Sequence, residues 1–120
     1  MAERLRFVGA MDRVLYLRTL SELDGVPPAE LGALAEHGRE RVFRRGEVLL
    51  EEGRPPESFF IIAQGQVEAS RGGVVLARLG EREPVGLLTL LSGEEEGIRA
   101  VGADDVLCLE FDAEILRDAL

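Results

Sequence analysis

Residues 39–80 decide the fold class, and they read RERVFRRGEVLLEEGRPPESFFIIAQGQVEASRGGVVLARLG. Short runs of Val, Ile, Leu and Phe alternate here with glycines at positions 46, 53, 65, 72, 73 and 80. Short β-forming runs, each followed by a turn signal, indicate an antiparallel sandwich or barrel rather than a parallel α/β sheet. This spacing predicts strands over residues 41–43, 47–51, 58–63, 66–70 and 74–79.

The pattern continues towards the C-terminus, where two more strands are predicted over residues 98–103 and 106–111. In the last strand Leu107, Leu109 and Phe111 alternate with other residues and therefore share one face. Asp112 is a suitable N-cap for a final helix that runs to Leu120.

The first 38 residues carry helical spacing instead. An amphipathic segment is predicted over residues 11–20, and a second helix begins at the Pro27-Pro28 pair, which suits a first helical turn. The chain of 120 residues fits one compact domain, 1–120. We expect a helical segment (1–38), a β-barrel (39–111) and a C-terminal helix (112–120).

Composition excludes several classes of protein. The single cysteine, Cys108, allows no internal disulfide, which is typical of a reducing, cytoplasmic protein. No apolar run reaches the roughly 20 residues of a membrane helix, and no secretory signal is evident. The net charge is −9, which opposes binding to nucleic acid or to an anionic membrane.

The charges are unevenly distributed. From Glu94 to Leu120 there are nine acidic residues and two arginines, which predicts a solvated acidic surface. A basic cluster near the first strand consists of Arg39, Arg41, Arg44 and Arg45. This basic cluster is either a solvated face or a contact for an acidic partner, including this chain's own acidic end.

The order of segments resembles the cyclic nucleotide-binding domain family, of the catabolite-activator type. Residues 29–35 resemble its lead-in helix, residues 43–53 its first hairpin, and residues 58–67 its third strand with the following glycine. Residues 74–80 match the strand that leads into the phosphate-binding cassette. The resemblance implies a mainly β fold, a small antiparallel barrel or jelly roll with N-terminal helices and one C-terminal helix.

The resemblance also locates the phosphate-binding cassette at residues 83–103, EPVGLLTLLSGEEEGIRAVGA. In the family a Gly-Glu pair opens the cassette, and the glutamate holds the ribose 2′-hydroxyl. Here Gly86 fits the opening, but Leu87 stands at the glutamate position and cannot accept a hydrogen bond. We expect Leu87 to serve as core, with an apolar ligand site as the alternative.

The closing end of the family's cassette carries an arginine that pairs with the cyclic phosphate. Counting back from Ala100 places Glu96 or Gly97 at that position, and Arg99 lies two residues late. Loss of the charged pair costs about 2–5 kcal/mol and loss of the ribose contact roughly 1–2 kcal/mol. Glu94, Glu95 and Glu96 add repulsion, so tight binding of cAMP or cGMP is disfavoured and no cofactor is predicted.

Two functions follow from these expectations. The first is a non-catalytic regulatory domain that acts through protein contacts, with a protein partner or a larger parent protein. The alternative is a small-ligand sensor, which would use a shifted cassette to bind a cyclic nucleotide or a less polar ligand. Its site residues would be Gly86, Leu87, Leu88, Arg99 and Ala100.

The remaining expectations concern partners and other chemistry. DNA-binding relatives carry a helix-turn-helix after the barrel, so we expect no nucleic acid to bind this chain alone. No membrane partner is expected, and a homodimer stays an open alternative. An enzyme on a cupin-like barrel would need several histidines, whereas His37 is the only one and suits a helix end. Cys108 lies in an apolar strand and is expected to be buried.

Overall fold

The computed structural model describes residues 10–93 and 97–120, with side chains from residue 13 onward. Its N-terminal part is helical: α1 spans Ala10–Arg18, a 3₁₀ turn spans Ser21–Leu23, and α2 spans Pro28–Glu36. Pro28 lies in the first turn of α2, as the sequence predicts. At the other end, His37 is exposed and its Nδ1 donates to the carbonyl of Ala33 at 2.9 Å.

Eight strands and two further helices complete the described part of the chain. The elements, in chain order, are β1 (Arg39–Phe43), β2 (Val48–Leu50), β3 (Ser58–Gln64), β4 (Val67–Arg71), β5 (Val74–Leu79), β6 (Pro84–Val85), α3 (Leu87–Ser92), β7 (Arg99–Gly102), β8 (Val106–Asp112) and α4 (Ala113–Ala119).

The strands form two four-stranded antiparallel sheets, in the orders β1-β8-β3-β6 and β2-β7-β4-β5. We call them sheet A and sheet B. The antiparallel jelly-roll arrangement that the sequence predicts is confirmed, but a closed barrel is wrong, because the two sheets do not close on each other. In the described residues β1 and β6 are the edge strands of sheet A, and β2 and β5 are the edge strands of sheet B.

Strand β6 is missing from the sequence-based prediction. It contributes two residues to the edge of sheet A, where Val85 lies opposite Phe60 and Pro84 opposite Ile61. A two-residue strand has no periodicity to detect, and a proline argues against a strand except at an edge. The short strand nevertheless matters, because it leads directly into the cassette.

The two central strands of sheet A, β3 and β8, are buried on both faces. Leu107, Leu109 and Phe111 share the face that packs against the helices, as their alternation predicts. Val106 and Cys108, on the other face of β8, belong to the core between the two sheets. Strand β3 is likewise buried on both faces, which explains its continuous apolar sequence.

The C-terminal helix begins where the sequence predicts. The Asp112 side chain accepts a hydrogen bond from the backbone N–H of Glu114 at 2.7 Å, which caps α4. Its buried residues Ala113 and Leu116 face inward, and Leu116 joins the helix-side core. This helix therefore closes the same layer as α1 and α2.

Candidate ligand-binding cassette

The cassette opens at Gly86, between β6 and α3. Its φ is 86°, in the left-handed region, and it forms the N-cap of α3. A Cβ added to Gly86 would lie 2.8 Å from Cδ1 of Leu50, so no larger residue fits without movement of that leucine. The opening turn therefore favours glycine chiefly for its backbone conformation, with the end of the Leu50 side chain as a smaller steric constraint.

The next two residues point in opposite directions. Leu87 is 1% exposed and belongs to the core between sheet A and the helices, whereas Leu88 is 68% exposed. Leu87, for which the resemblance predicts the ribose-binding position, is thus a core residue in this chain. Helix α3 has only six residues and ends at Gly93, whose φ is 73°.

The closing end of the cassette is formed by β7. Ala100 is fully buried between the sheets, while Arg99, the first residue of the strand, is half-exposed. The Nε atom of Arg99 lies 4.0 Å from Oε2 of Glu51, in the loop after β2. Arg99 therefore has an acidic neighbour within this chain.

Leu50 connects the two ends of the cassette. It lies opposite Ala100 in the pairing of β2 with β7, and it lies against the Gly86 turn. The sequence-predicted positions thus form two groups, Gly86 to Leu88 at the start of α3 and Arg99 to Ala100 on β7. Sequence reasoning did not identify Leu50, because its role depends on a strand pairing that local sequence does not show.

Arg71 is a second residue that sequence reasoning missed. It ends β4, and its Nε donates to the carbonyl of Gly97 at 2.9 Å in a partly buried contact. Because Ser70 lies opposite Arg99, the end of β4 lies beside the closing end of the cassette. Glu94, Glu95 and Glu96, which we expected to repel an anion, lie outside the described residues.

The basic cluster contacts the acidic end of the same chain. Arg39 and Arg41 both donate to Oε1 of Glu110, at 3.0 and 2.9 Å. Arg44 donates to Asp105 at 3.3 Å. The backbone N–H of Arg45 also donates to Asp105, at 3.1 Å. Both interpretations left open by the sequence hold: the side chains of Arg39 and Arg44 are 69% and 70% exposed, and the cluster also contacts the chain's own acidic residues.

Cys108 is fully buried in β8, as expected from its apolar surroundings. Burial raises the pKa of its thiol from 9.0 to about 12, with a smaller lowering by Arg41 and a smaller raising by Glu110. A thiol with such a pKa is protonated at neutral pH and is a poor nucleophile. Cys108 therefore serves packing.

Two further structural findings bear on the function. Within residues 10–93 and 97–120, no three His, Cys, Asp or Glu side chains are grouped as metal ligands would be. No helix in this part of the chain is long and apolar enough to cross a membrane.

Solved structures of other proteins share this fold. The regulatory domain of Toxoplasma gondii PKA with cAMP is 17% identical, with a TM-score of 0.77 over 92% of this chain and 44% of that one. The regulatory subunit of a cAMP-independent protein kinase A from Trypanosoma cruzi, bound to guanosine, is 20% identical. It gives a TM-score of 0.75 over 92% of this chain and 42% of that one.

Sequence comparison goes further than fold. Human cGMP-dependent protein kinase 2 is 28% identical over 99 residues, which cover 82% of this chain but 12% of the kinase. The sequence pattern of the cyclic nucleotide-binding domain family matches residues 40–120, well over half of the chain. This chain belongs to the cyclic nucleotide-binding domain family.

Proposed function

We propose that this domain is a non-catalytic regulatory module that acts through protein contacts and does not take cAMP or cGMP in the family's usual way. The observation that carries the proposal is the burial of Leu87, which is 1% exposed. A glutamate at this position would have to leave the core to reach a ribose. Leucine instead stabilises the core and offers the ribose no acceptor.

Arg99 does not restore the missing contacts. Its guanidinium lies 4.0 Å from the Glu51 carboxylate, and both side chains are about half-exposed. Such an exposed pair contributes at most about 1 kcal/mol, so it does not immobilise Arg99. It does place a negative charge next to the only cassette arginine, which lowers the attraction for a phosphate.

The relatives support a domain that works inside a larger assembly. The chain spans 12% of the human kinase that it matches, and it covers less than half of the Toxoplasma and Trypanosoma chains. We infer that the partner is another protein or another part of a parent protein. The Trypanosoma cruzi protein, which has the same fold, is the regulatory subunit of a protein kinase A described as cAMP-independent.

A second function, sensing of a less polar ligand, is favoured by the exposed leucine of α3. Leu88 is 68% exposed next to the turn at Gly86. A ligand that covered Leu88 would contact α3 without needing a phosphate contact. Guanosine, which lacks the phosphate, is a suitable probe of this alternative.

Thermal unfolding with and without ligand tests the proposal. A ligand at 100 times its dissociation constant stabilises by about 2.7 kcal/mol, or roughly 10 °C for a domain of this size. We expect no shift with millimolar cAMP or cGMP, and the same result for Arg99→Ala. A shift that Arg99→Ala abolishes would overturn the proposal, and a shift with guanosine alone would favour the second function.

A further inference from the structure

Strand β5 is an edge strand whose side chains are exposed on both faces of sheet B. Val74 and Val75 are paired in regular register with the end of β4, and as consecutive residues they point to opposite faces. Their exposed fractions are 64% and 55%, and Leu76 is also 55% exposed. In the described residues β5 pairs only with β4, so its other edge presents backbone N–H and C=O groups to solvent.

The other three edges of the two sheets are protected against pairing with a further strand. Strand β1 begins with three charged residues, Arg39, Glu40 and Arg41. Strand β2 has three residues, and β6 has two, of which one is Pro84. Charges, proline and short length are devices by which natural proteins block the pairing of edge strands. Strand β5 has six residues, no proline and a single charge, Arg78.

One bulge interrupts β5. The register shifts between Ala69 and Ser70 of β4, which leaves Leu76 as the extra residue of β5. A bulge increases the twist of a strand and shortens the stretch that can pair regularly. Here, however, the extra residue is an exposed leucine rather than a charge. The bulge therefore weakens pairing at this edge without blocking it.

The charges around β5 favour a second copy of this chain as the occupant of the edge. Residues 67–79, the hairpin of β4 and β5, contain one acid and two arginines, whereas the whole chain has a net charge of −9. Two copies therefore meet little repulsion at this hairpin. In an antiparallel pairing that uses all six residues of both strands, Arg78 of each copy lies opposite Val75 of the other, so no like charges meet. The charge of Arg78 is balanced by Glu68 of the same chain, at 3.5 Å.

We propose that β5 pairs antiparallel with β5 of a second copy about a two-fold axis, which joins two four-stranded sheets B into one continuous sheet. Such an axis makes one surface complementary to itself. Two strands of six residues bury less than the roughly 1,200 Å² of a standard interface, so we expect a weak dimer with a dissociation constant on the order of 100 μM. No cassette position lies on β5, so the dimer does not depend on the function proposed above.

Sedimentation equilibrium of the purified chain tests the proposal. Between about 10 μM and about 1 mM, we expect the average mass to rise from that of one chain towards that of two. A mass that stays at one chain throughout would overturn the proposal and leave the edge to a strand of another protein. A mass that rises beyond two chains would also contradict it, because a two-fold pairing closes on itself.

A matched pair of variants locates the interface. Because Val75 lies opposite Arg78 in the proposed pairing, Val75→Lys sets like charges against each other, and we expect a dimer at least tenfold weaker. Val42→Lys makes the same exchange on β1, where Val42 is 45% exposed, and we expect an unchanged dissociation constant. Circular dichroism verifies that both variants are folded. Equal effects of the two variants, or no effect of Val75→Lys, would contradict the assignment to β5.

Cross-linking gives a second readout that needs no disruption of the dimer. The native Cys108 is buried, so a new exposed cysteine is the reactive thiol. Leu76 lies next to the proposed two-fold axis, so the two copies of Leu76→Cys lie within reach of a short bis-maleimide. We expect Leu76→Cys to form cross-linked dimers at least tenfold faster than Val42→Cys. Equal rates would contradict pairing through β5.

Discussion

Glu110 is held in a buried position on β8 by two arginines of the neighbouring strand. Removal of one arginine leaves the other, so Arg39→Met or Arg41→Met alone should each cost about 0.5 kcal/mol of unfolding free energy, a value discounted for their exposure. Removal of both leaves a buried carboxylate without a partner and should cost about 2–3 kcal/mol. Urea unfolding of the two single variants and the double variant measures this coupling.

Arg44→Met is the matched control for this cycle. Its partner Asp105 is exposed, so the pair should contribute almost nothing to stability. If the double variant Arg39→Met, Arg41→Met loses only about 1 kcal/mol of unfolding free energy, the sum of the two single losses, the stability of the buried Glu110 does not depend on the two arginines together.

Cys108 makes stability depend on pH in the alkaline range. Its folded pKa, about 12, lies above the unfolded value of 9.0, because burial disfavours the thiolate. The folded state therefore holds the proton more tightly, and this contribution is fully present below about pH 9 and is lost as the pH rises towards 12. Between pH 8 and 10 we expect a loss of roughly 1 kcal/mol that Cys108→Ala does not show. Equal pH dependence of the two proteins would show that the thiol ionises as easily in the folded state.

At the scale of elements, the cassette turn can be tested with a pair of glycines. Gly86 and Gly46 both have a φ of 86°, but an added Cβ would contact Leu50 at the first position and nothing within 4 Å at the second. Gly46→Ala should therefore cost about 1 kcal/mol for its backbone conformation alone. Gly86→Ala should cost more than this by about 0.5 kcal/mol, for the displacement of the end of the Leu50 side chain. Chemical unfolding compares them, and equal costs would contradict the close packing of the turn.

The cap of α4 gives a second test at this scale. Asp112→Ala removes the side-chain acceptor for the Glu114 N–H and should cost about 1 kcal/mol. Asp112→Asn keeps a side-chain acceptor and should cost only a few tenths of a kcal/mol of unfolding free energy. The free energy of unfolding distinguishes the two, and an equal loss in both variants would argue against the capping role.

These elements also show how far the sequence could be interpreted. The alternation in Leu107, Leu109 and Phe111 and the cap at Asp112 are local signals, and both were predicted correctly. Strand β6 was missed because two residues carry no period. The choice between two open sheets and a closed barrel could not be made from the sequence, because it depends on pairings between strands distant in sequence.

The candidate site was less predictable than the fold, for the same reason. Gly86 and Leu87 could be located along the chain by resemblance, and Leu87 is buried as expected, but the side of sheet A on which it packs needed the structure. The contacts of Leu50 with both ends of the cassette, and of Arg71 with Gly97, join segments that no local pattern relates. The sequence did not show which acidic residues contact the basic cluster, because Arg39 and Arg41 reach Glu110 through the pairing of β1 with β8.

At the scale of the whole molecule, the fold is that of a ligand-binding family while the net charge of −9 disfavours anionic ligands. Sheet A lies between the helices and sheet B. Leu87 and Leu90 of α3 pack in the same core as residues of α1, α2 and α4, so a movement of α3 would change the packing of that core. This arrangement suits a domain whose helical layer contacts another protein.

Isothermal titration of the purified chain with cAMP and with cGMP tests the central claim most directly. The account predicts no saturable heat up to about 1 mM ligand, because Leu87 offers no ribose contact and Arg99 lies beside Glu51. Saturable one-to-one binding with a dissociation constant of about 10 μM or tighter would contradict it.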